Sequence, residues 1–172
     1  MTALTICTMA QIKSCVASAR AGKRLADETF DHIYASSLMR AFETAQAILK
    51  FHEDTACTVS EDLHEVTRYH FSPVFGELDP AASKCMALER DALERFANQL
   101  RHAHGPGEKV LVVSHGNFIR TLMPILGGRD PKESLLININ NASITVLEVW
   151  ASGEAILQLG NSVKHLLPSQ VT

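Results

Sequence analysis

The sequence predicts an α/β fold, a three-layer α/β/α sandwich in which helices cover both faces of a mostly parallel sheet. Three observations predict it. Strand-like runs alternate with helix-spaced ones along the chain, as parallel sheets with crossover helices require. The run Lys109 to Leu122, KVLVVSHGNFIRTL, passes from a continuous apolar strand into an apolar helix at Ser114-His115-Gly116. A second strand-to-helix junction stands at Ser36-Ser37. Such junctions lie at strand carboxyl ends, where open α/β sheets bind ligands and where helix N–H groups favour an anion such as phosphate.

Taken in order, Gln11 to Ala21 places Ile12, Cys15, Val16 and Ala19 at helical spacing and stops at Gly22, a common terminator. Phe30 to Ala35 is aromatic and β-branched, a strand, and Ser36-Ser37 leads into the good helix formers of Leu38 to Phe51. Ala56 to Ser60 is a short strand, and Tyr69 to Pro80, with Pro73, Gly76 and no period, reads as a loop. Ala81 to His102 has helical spacing at Met86, Leu93, Phe96, Ala97 and Leu100, and Gly105-Pro106-Gly107 turns it into the Val110 strand. Gly127-Gly128 ends the helix that follows His115. Ser143 to Val149 and Ala155 to Leu159 then read as strands across a turn at Ser152-Gly153, and the tail from Asn161 has no assignment.

The chain has 172 residues, 46% of them hydrophobic and 20% charged, which suits a single domain over 1–172. A formal charge of −3 gives no general pull toward nucleic acid or an anionic membrane, so any anion site must be built locally. No run approaches the ~20 apolar residues of a membrane span, and MTALTICTMAQIK lacks a signal core, which predicts a cytoplasmic protein. Cys7, Cys15, Cys57 and Cys85 are scattered, without metal-site spacing, and read as reduced and mostly buried. A cysteine phosphatase needs an arginine later in the nucleophile's loop, but those positions hold Lys13, Ala21, Leu63 and Asp91.

Each junction carries a cationic or potentially cationic group. Arg40 sits in the opening turn of the helix after Ser36-Ser37, and His115 stands at the second junction beside Gly116. Charge-assisted bonds from an Arg fork contribute roughly 1.5–3 kcal/mol each and a helix N-terminus roughly 0.3–1, enough together to hold a phosphoryl group. On residue pattern alone, Arg40 is equally an exposed surface arginine, and His115 a strand-end histidine bonded to a carbonyl.

Asp31 to Ile48, DHIYASSLMRAFETAQAI, resembles the histidine phosphatase (phosphoglycerate mutase-like) superfamily pattern of a strand followed by SSPLxRAxETA. Val110 to Arg120 is similar to the family's second signature, and Asn141 to Leu147, NASITVL, to its late turn and strand. Leu63-His64-Glu65 fits its L-x-E element, and Leu4-Thr5 with Gln11 its LTxxGxxQ helix start, Thr8 replacing the glycine. The resemblance implies that Arg40 clamps phosphate, that His115 with Gly116 binds and polarises the phosphoryl oxygens, and that Glu65 protonates the leaving alcohol. Phosphoryl transfer needs mainly positioning and charge neutralisation, and the residues form no metal ligand set; neither a metal nor a cofactor is expected. His64 and His70 read as bystanders, and Arg68 as a substrate contact or a surface salt bridge.

One family element is missing. The resemblance implies an opening interior strand ending in an R-H-G triplet, whose histidine becomes phosphorylated, and no such triplet occurs in this chain; Arg101-His102-Ala103 lies at a helix end. The first core strand is thus expected to be missing or replaced, the chain N-terminally truncated, and activity weak or absent, since removing a nucleophile costs on the order of 10⁶ in turnover. Two outcomes fit a vacant slot: Thr2 to Thr8, rich in β-branched residues, occupies it, which would leave Cys7 or Thr8 at the nucleophile's place, or the two flanking strands close on each other. A phosphatase domain and a non-catalytic pseudoenzyme or interaction protein both remain open. The expected partner is a phosphorylated small molecule or phosphoprotein, and the oligomeric state is not readable. Val66 to Pro73 replaces the family's G-x-W-E-G element, which favours a phosphatase over a sugar-phosphate mutase.

Overall fold

The computed structural model describes residues 4–10, 15–67 and 80–171. Its elements run β1 (Leu4–Ala10), α1 (Cys15–Leu25), β2 (His32–Ser36), α2 (Met39–Leu49), β3 (Cys57–Ser60), α3 (Pro80–Ala103), β4 (Lys109–Ser114), α4 (Gly116–Leu126), β5 (Ile144–Val149) and β6 (Ala155–Ser162). They build one sheet in the order β3-β2-β4-β1-β5-β6. The β3, β2, β4 and β1 strands are mutually parallel; β5 runs antiparallel to β1, and β6, antiparallel to β5, points the same way as those four.

Strand alternation decides which helix lies where. In β4, Val110 and Val112 face one side and pack with Leu93, Phe96 and Leu100 of α3 and Phe118 and Leu122 of α4. Leu111 and Val113 face the other side, with Ala17, Ala21 and Leu25 of α1 and Ala41, Ala45 and Ile48 of α2. Because both faces are covered, the β4 interior residues Val110 to Val113 are completely buried, which is why the run reads as continuously apolar. At Gly22 a Cβ would lie 2.7 Å from the Ala47 carbonyl oxygen, so glycine lets α1 and α2 approach closely. The predicted helix terminator therefore lies inside α1, which runs on to Leu25.

The interior slot is occupied. β1 pairs in parallel with β4 from Thr5 opposite Lys109 to Ala10 opposite Ser114, and antiparallel with β5 from Leu4 opposite Val149 to Met9 opposite Ile144. This satisfies backbone groups on both flanking strands, which an empty slot would leave unpaired inside the molecule. It bears out the strand expected near Thr2 to Thr8 and overturns the helix start expected at Leu4-Thr5. Cys7 and Thr8 fall in mid-strand opposite Leu111 and Val112, so neither stands at the nucleophile's place. The strand ends at Ala10, opposite Ser114.

The β5–β6 hairpin closes where Ser152-Gly153 predicts, with Gly153 at φ 87° and its N–H donating to the Trp150 carbonyl at 2.9 Å. β6 continues to Ser162, past the predicted end at Leu159. Cys57 and Cys85 are exposed rather than buried, on the sheet edge and the outer face of α3. The start of the Gln11 helix, the Tyr69 to Pro80 loop up to residue 79, Arg68 and His70 lie outside the described residues. No described helix is long and apolar enough to cross a membrane.

Candidate active site

The carboxyl ends of β2 and β4 lie side by side, because Ala35 is in register with Val113. Each strand breaks directly into a helix, so the turns Ser36-Ser37-Leu38 and Ser114-His115-Gly116 form one rim. His115 is the N-cap residue of α4, with extended backbone, and its ring is fully covered. Its Nε2 is hydrogen-bonded to Ser36 Oγ at 2.9 Å, and that oxygen also accepts the Leu38 N–H at 3.3 Å. The two junctions are thereby tied to each other.

A third segment crosses the rim. Leu63 is completely buried, and its carbonyl accepts the Ser114 hydroxyl at 2.8 Å, which fixes Leu63-His64-Glu65 over the end of β4. On its far side, Thr67 donates through N–H and hydroxyl to the Glu89 carboxylate of α3 at 2.9 and 3.1 Å. Glu65 Oε1 then accepts the N–H groups of Asn117 at 3.0 Å and Phe118 at 3.3 Å, at the opening turn of α4. The helix N-terminus predicted to greet an external anion thus holds the chain's own carboxylate. At Gly116 an added Cβ would meet Ile139 only at ordinary contact distance, so no clash within the protein demands glycine there.

The electrostatics place four groups in one neighbourhood. Burial, then the Arg40 guanidinium, then His64 push the His115 imidazole down to about 4, so the ring is neutral at pH 7. Burial pushes the Glu65 carboxyl up, against the opposing pull of the Phe118 and Asn117 N–H groups and Arg40. Arg40, the second residue of α2, is exposed and acts on both His115 and Glu65. The structure therefore gathers Arg40, Glu65, His115 and Gly116 at one rim.

It also adds residues that the sequence reading set aside. His64 Nε2 is hydrogen-bonded to Ser37 Oγ at 2.6 Å, and the ring bears on His115, so it lies within the site rather than beside it. Ser36 and Ser37 are contacts of the two imidazoles rather than a mere helix start. The signal for them was the Ser-Ser pair at a strand end. What hid their role was that their partners lie 79 and 27 residues away in sequence. Among the described residues, no cluster of three His, Cys, Asp or Glu side chains forms a metal site.

Comparison with known proteins matches the profile of the histidine phosphatase superfamily (branch 1) to residues 15–72 and 76–162. The serine/threonine-protein phosphatase Pgam5, mitochondrial, of Drosophila willistoni is 33% identical over 157 residues, 84% of this chain and 54% of that protein. Phosphoglycerate mutase-like protein 4 of Arabidopsis thaliana is 26% identical over 170 residues, 86% of this chain and 71% of that protein. The chain spans about half the length of the Pgam5 relatives it matches. In fold it is similar to the alpha-ribazole phosphatase of Shigella flexneri (TM-score 0.73, 15% identity, 92% of this chain and 96% of that one). It is likewise similar to the phosphoserine phosphatase of Entamoeba histolytica (TM-score 0.66, 22% identity, 97% of this chain and 100% of that one).

Proposed function

The chain belongs to the histidine phosphatase superfamily (branch 1), and from that premise we propose that it is a phosphomonoesterase-type domain that keeps a phosphate pocket but lacks the family's covalent histidine. The observation that carries the reading is the convergence of Arg40, Glu65 and His115 on one rim at the carboxyl ends of β2 and β4. Arg40 supplies the fixed positive charge for the phosphoryl oxygens, and His115 a neutral ring able to take up a proton when an anion arrives. Glu65, partly buried, is poised to hand a proton to a leaving alcohol. Its Oε1 is anchored by two N–H groups, which orients the carboxyl group.

Turnover by the family route is weak or absent in this reading. The interior strand ends at Ala10 opposite Ser114, and Gln11 and Ile12 follow in sequence where the resemblance implies histidine and glycine. An R-H-G strand supplied from upstream, as a truncated chain would imply, would have to displace Leu4–Ala10 from between β4 and β5. The alternative is a pseudophosphatase that holds a phosphorylated small molecule or phosphoprotein without cleaving it. A cytoplasmic location belongs to both readings and is checked by cell fractionation, since the Pgam5 relatives are named as mitochondrial.

The test is direct binding of inorganic phosphate and vanadate by calorimetry, with p-nitrophenyl phosphate hydrolysis measured alongside. Binding that Arg40→Gln weakens supports the pocket, and slow hydrolysis or none then separates phosphatase from binder. Absence of phosphate and vanadate binding overturns the reading.

A further inference from the structure

Two Ser–His pairs stand side by side at the end of β2, one covered and one open. Ser36 is completely buried and hydrogen-bonded to His115, so the inner hydroxyl is not presented to a substrate as the chain stands. Ser37 and Arg40 are exposed, and His64 and Glu65 are half-buried. The chemistry within reach of a substrate is therefore that of the outer pair. A serine hydroxyl hydrogen-bonded to an imidazole is the arrangement that makes an alcohol nucleophilic, because the ring removes the proton as the new bond forms. At 2.6 Å, Ser37 Oγ and His64 Nε2 already have that contact.

The surroundings suit an incoming phosphoryl group. Ser37 stands just before α2, whose N-cap residue Leu38 offers no side chain to the first-turn N–H groups. Arg40 lies in that same turn. The hydroxyl thus stands next to a helix N-terminus and a guanidinium-bearing turn whose charge bears on His115 and Glu65. Both partners are also held from behind. The Ser37 N–H donates to the Ser60 carbonyl at 3.3 Å, and His64 is fixed by its N–H bond to the Glu61 carbonyl at 3.0 Å and by the Leu63–Ser114 bond next to it.

We propose that Ser37 accepts the phosphoryl group in this protein, with His64 as its base. This rests on the reading above that the rim binds phosphate monoesters. In the first step the Ser37 Oγ–P bond forms and the ester P–O bond breaks. The hydroxyl proton passes to His64 Nε2, and the leaving alkoxide takes the proton of the Glu65 carboxyl group. In the second step water attacks phosphoserine, giving its proton to the Glu65 carboxylate, while Ser37 Oγ leaves with the proton from His64. The sum is ester plus water to alcohol plus phosphate, with both residues restored.

The experiment incubates the whole chain with p-nitrophenyl phosphate, quenches in acid and measures intact mass and site by peptide mapping. Phosphate affinity and thermal melting are followed in parallel. The expected result is one acid-stable phosphoryl group on Ser37, absent in Ser37→Ala and formed about 100-fold or more slowly in His64→Gln. Both variants should keep the parent's melting temperature, and Ser37→Ala should keep its phosphate affinity within about threefold. An acid-labile label on a histidine, or a label that survives Ser37→Ala, overturns the proposal. Phosphate binding without any label overturns it too, while leaving the pocket intact. No phosphate binding at all removes both.

Discussion

The buried imidazole at the centre of the site makes stability depend on pH in a way that can be calculated. An unfolded histidine titrates near 6.5, whereas His115 is pushed down to about 4 in the folded chain. Between those values the unfolded chain binds a proton that the folded chain refuses, so stability rises with pH and is lost as pH falls from about 6.5 toward 4. Integrating this difference gives a loss of about 2 kcal/mol at pH 5 relative to pH 7.5, growing to about 3 kcal/mol at pH 4. With a urea slope of about 2 kcal/mol per molar, the midpoint at pH 5 should fall by about 1 M on account of this one ring. The assay is urea unfolding of the parent and of His115→Gln at pH 7.5, 6 and 5. His32 and His165 are also pushed down by burial and are common to both proteins, so the difference between the curves isolates His115. The variant's curves should converge on the parent's as pH falls. Parallel pH dependence in the two proteins, or an NMR titration placing His115 near 6.5, refutes the reasoning.

Other expectations follow from the same geometry. Arg40→Gln should weaken phosphate binding by about 1.5–3 kcal/mol, roughly 10- to 150-fold; titration calorimetry measures the loss. Glu65→Gln should slow release of the alcohol from an alkyl phosphate by about 10²–10⁴ and spare the first-turnover release of p-nitrophenol from p-nitrophenyl phosphate, whose leaving group needs little protonation; an equal loss in both first-turnover rates would count against the acid role. The triple change Ala10→Arg, Gln11→His and Ile12→Gly, which writes an R-H-G triplet from the last residue of β1 onward, should raise p-nitrophenyl phosphate hydrolysis by several orders of magnitude if the want of a histidine nucleophile limits turnover. Arg101→Met removes the guanidinium that donates to the carbonyls of Ile125 and Leu126 at the end of α4, and should cost about 1–3 kcal/mol in urea unfolding.

Much of this architecture was written in local pattern. The Val110 to Val113 run, buried on both faces, declares an interior parallel strand by itself, and Ser114-His115-Gly116 marks its abrupt conversion to a helix. Helix formers after Ser36-Ser37 placed α2, periodicity placed α3 and Ser152-Gly153 the β5–β6 turn, because each depends on neighbours a few residues apart. Glu65 and Arg40 were identifiable as candidates from residue type and position. Their surroundings were not, since the atoms that raise or lower a proton affinity come from distant segments.

Tertiary structure decided the rest, and for one physical reason: hydrogen bonds and burial join residues whose separation in the chain carries no signal. TALTICT can open a helix or extend as a strand, and the unpaired edges of β4 and β5 settle the choice by offering partners on both sides. Ser37 and His64 become a pair only because Leu63 is buried and fixed to Ser114. The N-terminus of α4, open to any anion in the sequence, is claimed by Glu65 from a segment 52 residues away. Sequence by itself determined the layers, the rim and the candidate residues; only the folded chain decided which of them lie open and which are spent on each other.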